Sequence, residues 1–123
     1  MTKVLVADDD ADIRTLVSLR LRHAGFDVVE AENGEHALEL VASERPELCV
    51  LDVTMPKLDG FEVTRRIRAN PETAQLPVIL LTARAQSGAQ STGMAAGATD
   101  YMSKPFKAGD LIARVRAELE RAR

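Results

Sequence analysis

Three short apolar stretches and a fourth, mixed one stop on residues able to handle phosphate. Val4-Leu5-Val6-Ala7 leads into Asp8-Asp9, Leu48-Cys49-Val50-Leu51 into Asp52, and Val78-Ile79-Leu80-Leu81 into Thr82. Asp100-Tyr101-Met102-Ser103 leads into Lys104-Pro105. Continuous apolar runs of this length mark strands buried on both faces of a parallel sheet. Open α/β sheets bind their ligands at the carboxyl ends of such strands. Side by side, these four would bring three carboxylates, a hydroxyl and an ammonium to one crevice.

Like charges 4 Å apart repel by about 4 kcal/mol at an effective dielectric near 20. A cluster of Asp8, Asp9 and Asp52 therefore stays ionised only beside a cation. Oxygen-only donors favour Mg2+, with Mn2+ as a substitute. No His or Cys lies near these strand ends, which sets zinc aside. A carboxylate beside such an ion can attack a phosphoryl group, a reaction that needs little beyond positioning and charge neutralisation. Asp52, alone at the end of the strand expected at the centre, suits the nucleophile, and Asp8 and Asp9 suit the metal. Thr82 offers a hydroxyl donor and Lys104 a second positive charge.

Strand and helix patterns alternate along the whole chain. Strands are expected at residues 4–7, 27–31, 48–51, 77–81 and 99–103. The first helix, at 11–24, has a capping Asp10 or Asp12, an apolar stripe of Ile13, Leu16, Val17 and Leu21, and Gly25 as its stop. Helices at 35–43, 61–69 and 107–123 carry stripes of the same kind. Residues 84–97 make a poor helix, because Gly88 and Gly93 lie inside it and Gly97 at its end, and each interior glycine costs about 1 kcal/mol against alanine. The pattern is (βα)5, an α/β fold with helices on both faces of a five-stranded parallel sheet. The connections leave no room for a second domain, so 1–123 reads as one domain.

Bulk properties narrow the class. The chain has 123 residues, 46% of them hydrophobic but only 3% aromatic, so the core must be aliphatic. Net charge is -3 with no basic cluster of the kind that tracks a nucleic-acid backbone. Arg114, Arg116, Arg121 and Arg123 alternate with Glu118 and Glu120 as a solvated helix face does. The single cysteine, Cys49, excludes an internal disulfide and fits a reducing compartment. With neither a signal-peptide pattern nor a run long enough to span a bilayer, the expectation is a soluble, cytoplasmic protein.

Asp8-Asp9, Asp52 followed by Met55-Pro56 and Asp59-Gly60, Thr82-Ala83, and Lys104-Pro105-Phe106 together resemble the receiver domain of two-component response regulators. The resemblance covers about residues 3–121, with every piece in order and correctly spaced. It implies the flavodoxin-like strand order 2-1-3-4-5, for which a member of this family is a standard example. It implies that Asp52 accepts a phosphoryl group from a sensor histidine kinase or phosphotransfer protein, or from a small donor such as acetyl phosphate. Asp9 and Asp52 would hold Mg2+ directly with the Thr54 carbonyl, and Asp8 mainly through water. Thr82 and Lys104 would contact the phosphoryl oxygens, and Tyr101 would be a switch aromatic that turns inward as Thr82 moves. The Lys104-Pro105 bond would be cis. A downstream protein, or an output domain absent from this chain, would read the signal. A stand-alone regulator and a receiver cut from a DNA-binding regulator both remain open.

Each residue also has a plainer reading. An Asp triplet can simply cap a helix, Asp52 can belong to a turn, Lys104 to the surface, and Tyr101 to a half-buried strand. Cys49 reads as a core filler, His23 and His36 as solvated, and Met94 and Met102 as core or partner-surface fillers. A haloacid-dehalogenase-like phosphatase also uses an Asp nucleophile and Mg2+, but wants a second Asp where Thr54 stands. A degenerate receiver acting as a docking module is the third reading, against which the intact site set argues. Helix five keeps Arg114 and Arg116, whereas residues 87–98 carry no charge, with Gln90, Thr92, Ala95 and Thr99 where charged partners often appear. Dimerisation through that face is therefore expected to be weak, and residues 86–97 to exchange amides quickly. Thr54 and Arg84 stand where fast hydrolysers carry amides or carboxylates, which points to a long-lived phosphoryl group.

Overall fold

Along β1 (Lys3–Ala7) alternate side chains go to opposite sides: Val4 and Val6 join one aliphatic cluster, Leu5 and Ala7 another. This is the two-residue period of any strand. β3 (Leu48–Asp52) and β4 (Val78–Ala83) repeat it, dividing Leu48, Val50, Ile79 and Leu81 from Cys49, Leu51, Val78 and Leu80. Both faces of the sheet are therefore apolar, and both need helices. α1 (Ala11–His23) and α5 (Ala108–Arg121) close one face with Val17, Leu21, Leu111, Val115 and Leu119. α2 (Gly34–Glu44) and α3 (Gly60–Ala69) close the other with Ala37, Val41, Val63 and Ile67, and α4 (Ala89–Ala96) packs beside α3.

This computed structural model describes residues 1–83 and 88–122. β2 (Asp27–Ala31) and β5 (Asp100–Lys104) complete the sheet, in the order β2-β1-β3-β4-β5 with every pairing parallel. This is the three-layer flavodoxin-like fold, with the expected strand order. The register sets Ala7 beside Leu51, Asp52 beside Leu81 and Ala83 beside Lys104, so the chemistry-bearing ends lie along one edge. Among the described residues, no helix is long and apolar enough to cross a membrane.

Several details depart from the sequence expectation. Leu16 does not belong to the buried stripe of α1, being 52% exposed. The helix meets the sheet through Val17, Leu21 and Ser18 instead. His36 is half-buried, whereas His23 is exposed as expected. Met102 is in the core and Met94 is 49% exposed. The helix expected over 84–97 is seen as eight residues, because Gly88 and Gly97 at its two ends adopt left-handed φ of 78° and 105°. Residues 84–87, including Arg84 and part of the segment expected to exchange quickly, lie outside the described residues, as does Arg123.

The corner where α4 runs into β5 is gripped by Arg68 of α3. Its guanidinium donates to the carbonyls of Leu76 at 2.6 Å and Gly97 at 2.8 Å, and to Thr99 Oγ1 at 3.2 Å. Burial lowers the Arg68 pKa, opposed by the neighbouring Cys49, whose own thiol burial pushes up to about 12. Cys49 is therefore an inert core thiol.

Ser18 is fully buried, and its hydroxyl has no hydrogen-bond partner among the described residues. An unsatisfied buried hydroxyl costs about 1 kcal/mol or more, and alanine is the better helix former. Ser18→Ala should raise the free energy of unfolding by about 1 kcal/mol in a urea titration; a drop would show that the hydroxyl is doing structural work.

Candidate functional site

Asp8 is the first residue past β1, and each of its polar groups is engaged. Its N–H extends the sheet ladder to the Ala31 carbonyl at 3.1 Å. Its Oδ1 accepts the Asp10 N–H at 2.9 Å and its Oδ2 accepts Lys104 Nζ at 3.1 Å. Its carbonyl accepts Arg14 Nη1 at 2.8 Å. Asp10, two residues on, caps α1 by accepting the N–H groups of Asp12 and Ile13. The plain capping reading of the Asp triplet therefore holds for Asp10, while Asp8 is buried in the site and Asp9 is exposed at its rim.

Asp52 ends β3 only 5% exposed. A side chain at Gly60 would put its Cβ 2.6 Å from the Asp52 carbonyl oxygen, so only glycine lets α3 begin this close. The Gly60 N–H donates to Val53 at 2.8 Å, and the Val53 N–H to Leu81 at 2.8 Å, fixing the turn that follows Asp52. Asp59 caps α3 through the Glu62 N–H at 2.8 Å. Thr54 lies exposed in that loop.

Lys104 closes the cluster from β5. Its Nζ donates to Asp52 Oδ1 at 2.8 Å and to Asp8 Oδ2 at 3.1 Å, and the Lys104-Pro105 peptide is cis, as the resemblance implies. Asp8, Asp9 and Asp52 each offer an oxygen within 4.8 Å of the others. Among the described residues, three carboxylates thus cluster together and Lys104 binds two of them, Asp8 and Asp52. Thr82, one residue past the sheet partner of Asp52, is buried, and its hydroxyl lies 3.4 Å from the Ala83 carbonyl. Tyr101 is half-buried, its hydroxyl accepting a long hydrogen bond of 3.4 Å from the exposed Ser103.

Electrostatics follow the geometry. Burial pushes the Asp52 carboxyl above the ordinary carboxylate range; the Lys104 hydrogen bond opposes this, and the charges of Asp8 and Asp9 add to it. Burial works against the Lys104 ammonium, but the hydrogen bonds and charges of Asp52 and Asp8 outweigh it, leaving its pKa raised. The site is a negatively biased, oxygen-only cradle, a donor set that fits a hard divalent cation such as Mg2+. Sequence reasoning placed Asp8, Asp9, Asp52 and Lys104 together, and the structure brings them together. It missed Arg14, which carries no motif signal and is found only through its bond to Asp8.

The family described as the response regulator receiver domain matches residues 4–116. The chain belongs to that family, a signalling class of two-component systems. The "DNA-binding dual master transcriptional regulator RpaA" of Synechocystis sp. (strain ATCC 27184 / PCC 6803 / Kazusa) is 43% identical over 98% of this chain and 50% of its own length. The "Alkaline phosphatase synthesis transcriptional regulatory protein PhoP" of Bacillus subtilis (strain 168) is 42% identical over 98% of this chain and 49% of its own length. The chain thus spans about half the length of these curated relatives. The receiver domain of a Francisella response regulator superposes with a TM-score of 0.91 at 33% identity, covering 100% of both chains. The chemotaxis response regulator CheY4 of Vibrio cholerae gives 0.89 at 33% identity, covering 96% of this chain and 98% of its own.

Proposed function

We propose that the chain is a phosphorylation-controlled switch whose acceptor is Asp52. An Asp52 carboxylate oxygen bonds to phosphorus as the P–N bond of a phosphohistidine donor breaks, and the departing imidazole takes up a proton. The donor is a sensor histidine kinase or a phosphotransfer protein; with acetyl phosphate a P–O bond breaks and acetate leaves. Lys104 and Thr82 contact the transferred oxygens. Asp8, Asp9, Asp52 and the Thr54 carbonyl would hold Mg2+, or Mn2+ in its place, which when bound neutralises charge on the carboxylates and the phosphoryl group. The observation carrying this reading is the Lys104 ammonium shared between Asp52 and Asp8.

Thr82 and Tyr101 would relay the change to a downstream protein, or to an output domain of the kind that fills the other half of the transcriptional relatives. The reading covers residues 1–123 as one domain working in the cytoplasm, as a monomer or weak dimer. Two intrachain bonds favour weak association: Arg114 is bound to Asp100 at 2.8 Å and Arg116 to the Ala24 carbonyl at 3.3 Å. An uncharged α4 offers no acidic side chain that would release them.

Intact mass after incubation with acetyl phosphate tests the proposal. One phosphoryl group should be added with Mg2+ and none with excess EDTA. Repeated turnover of an external phosphoester would instead favour a haloacid-dehalogenase-like phosphatase.

A further inference from the structure

Asp9 is exposed, yet the backbone on both sides of it is held. On its C-terminal side the Asp10 N–H donates to Asp8 Oδ1 at 2.9 Å. On its N-terminal side the Asp8 carbonyl accepts Arg14 Nη1 at 2.8 Å. That carbonyl shares one rigid plane with the nitrogen and Cα of Asp9. Fixing both flanking planes fixes the direction in which the Asp9 side chain leaves the backbone. Arg14 is held in turn: its Nε donates to Glu30 Oε1 of β2 at 3.3 Å. Glu30 is steadied by Arg22 Nη2 at 3.4 Å. The strut therefore runs from the sheet edge, through a planar guanidinium on α1, to the peptide that carries Asp9.

We propose that Arg14, braced by Glu30, is a positioning residue for the divalent-cation site, acting on the Asp8–Asp9 peptide rather than on the carboxylates of Asp8, Asp9 or Asp52. The inference rests on the metal-binding reading of Asp8, Asp9 and Asp52. A guanidinium can bridge a carbonyl and a carboxylate because its donors point in fixed, different directions; a lysine ammonium on a flexible stem does not reproduce this. Partners that orient metal ligands without touching the ion typically carry 10–100-fold in affinity.

The test is Mn2+ binding to the whole chain, read from the electron paramagnetic resonance signal of the free ion, with Mg2+ as competitor. Arg14→Ala should weaken Mn2+ binding about tenfold or more. Arg14→Lys should stay close to Arg14→Ala. Arg65→Ala, which removes an exposed charge on α3, should bind as wild type does. The Mg2+ concentration for half-maximal acetyl phosphate labelling should move by the same factor as the dissociation constant. Glu30→Ala is the second variant and should weaken binding in the same direction, so the test stands if Arg14→Ala does not fold. Full recovery in Arg14→Lys would overturn the inference, since charge alone would then suffice. Wild-type affinity in a folded Arg14→Ala or Glu30→Ala would overturn it as well. Failure of the wild-type chain to bind Mn2+ would overturn the metal-binding reading itself, and this inference with it.

Discussion

Asp52→Asn should fold, melt at a higher temperature than the wild-type chain, and take no phosphoryl group from acetyl phosphate. The loss of labelling follows from removing the only acceptor the proposal allows. The gain in stability follows from the raised pKa of Asp52. A carboxyl whose folded pKa lies above its unfolded value contributes stability that is full below the unfolded pKa and is lost as pH rises through the folded one. Above the folded pKa that contribution is gone, and the ionised, buried Asp52 faces Asp8 and Asp9. An uncharged amide of the same shape removes the penalty. Relieving strain at a functional site commonly gives about 0.5–2 kcal/mol, or roughly 3–5 °C per kcal/mol for a domain of this size. The sign of the pH dependence is specific. The gap between variant and wild type, measured without Mg2+, should narrow as pH falls from 7 into the range where Asp52 protonates. A gap that widens on acidification, or labelling that persists in the variant, would refute the assignment of Asp52.

Lys104→Met should have the opposite effect. It keeps the length of the side chain and removes the ammonium that serves two buried carboxylates at 2.8 and 3.1 Å. Charged hydrogen bonds of this kind carry about 1.5–3 kcal/mol, and stripping one partner from a buried pair costs more than the pair contributes. A loss of about 2–4 kcal/mol at neutral pH is expected from urea unfolding. The double variant with Asp52→Asn should recover over 1 kcal/mol more than Asp52→Asn gains in the wild-type chain, since only Asp8 would then lack its cation. Strict additivity in that cycle would mean that Lys104 and Asp52 act independently, contrary to the geometry.

The central sheet was legible in the sequence because β1, β3 and β4 are buried on both sides and therefore apolar throughout. The candidate site was legible for the same reason: Asp8, Asp52 and Thr82 sit where such runs stop, and Lys104 sits at the end of the mixed β5. What was not legible depended on contacts between distant residues. Leu16 looked inward by helical spacing, yet Ser18 took the buried position because α1 rolls toward Val17 and Leu21. β5 was expected at 99–103 but is Asp100–Lys104. Thr99 instead spends its hydroxyl on the Val78 N–H and on Arg68. The eight-residue α4 follows from two left-handed glycines, a choice that composition announces only as weakness. The place of Arg14 beside the site was invisible because the hydrogen bond of its guanidinium to the Asp8 carbonyl exists only in the folded chain.

The grip of Arg68 makes α4 asymmetric. At the far end of the helix, Gly88 supplies no side-chain hydrogen bond as a cap. At the near end, Gly97 is tied to Arg68, and the Thr99 N–H to the Val78 carbonyl at 2.8 Å. With this grip at Gly97, α4 is expected to move about that end, more at Thr92 than at Ala98. The amide of Thr92 should accordingly exchange faster than those of Ala98 and Thr99, and Arg68→Ala should abolish the difference by freeing that end as well.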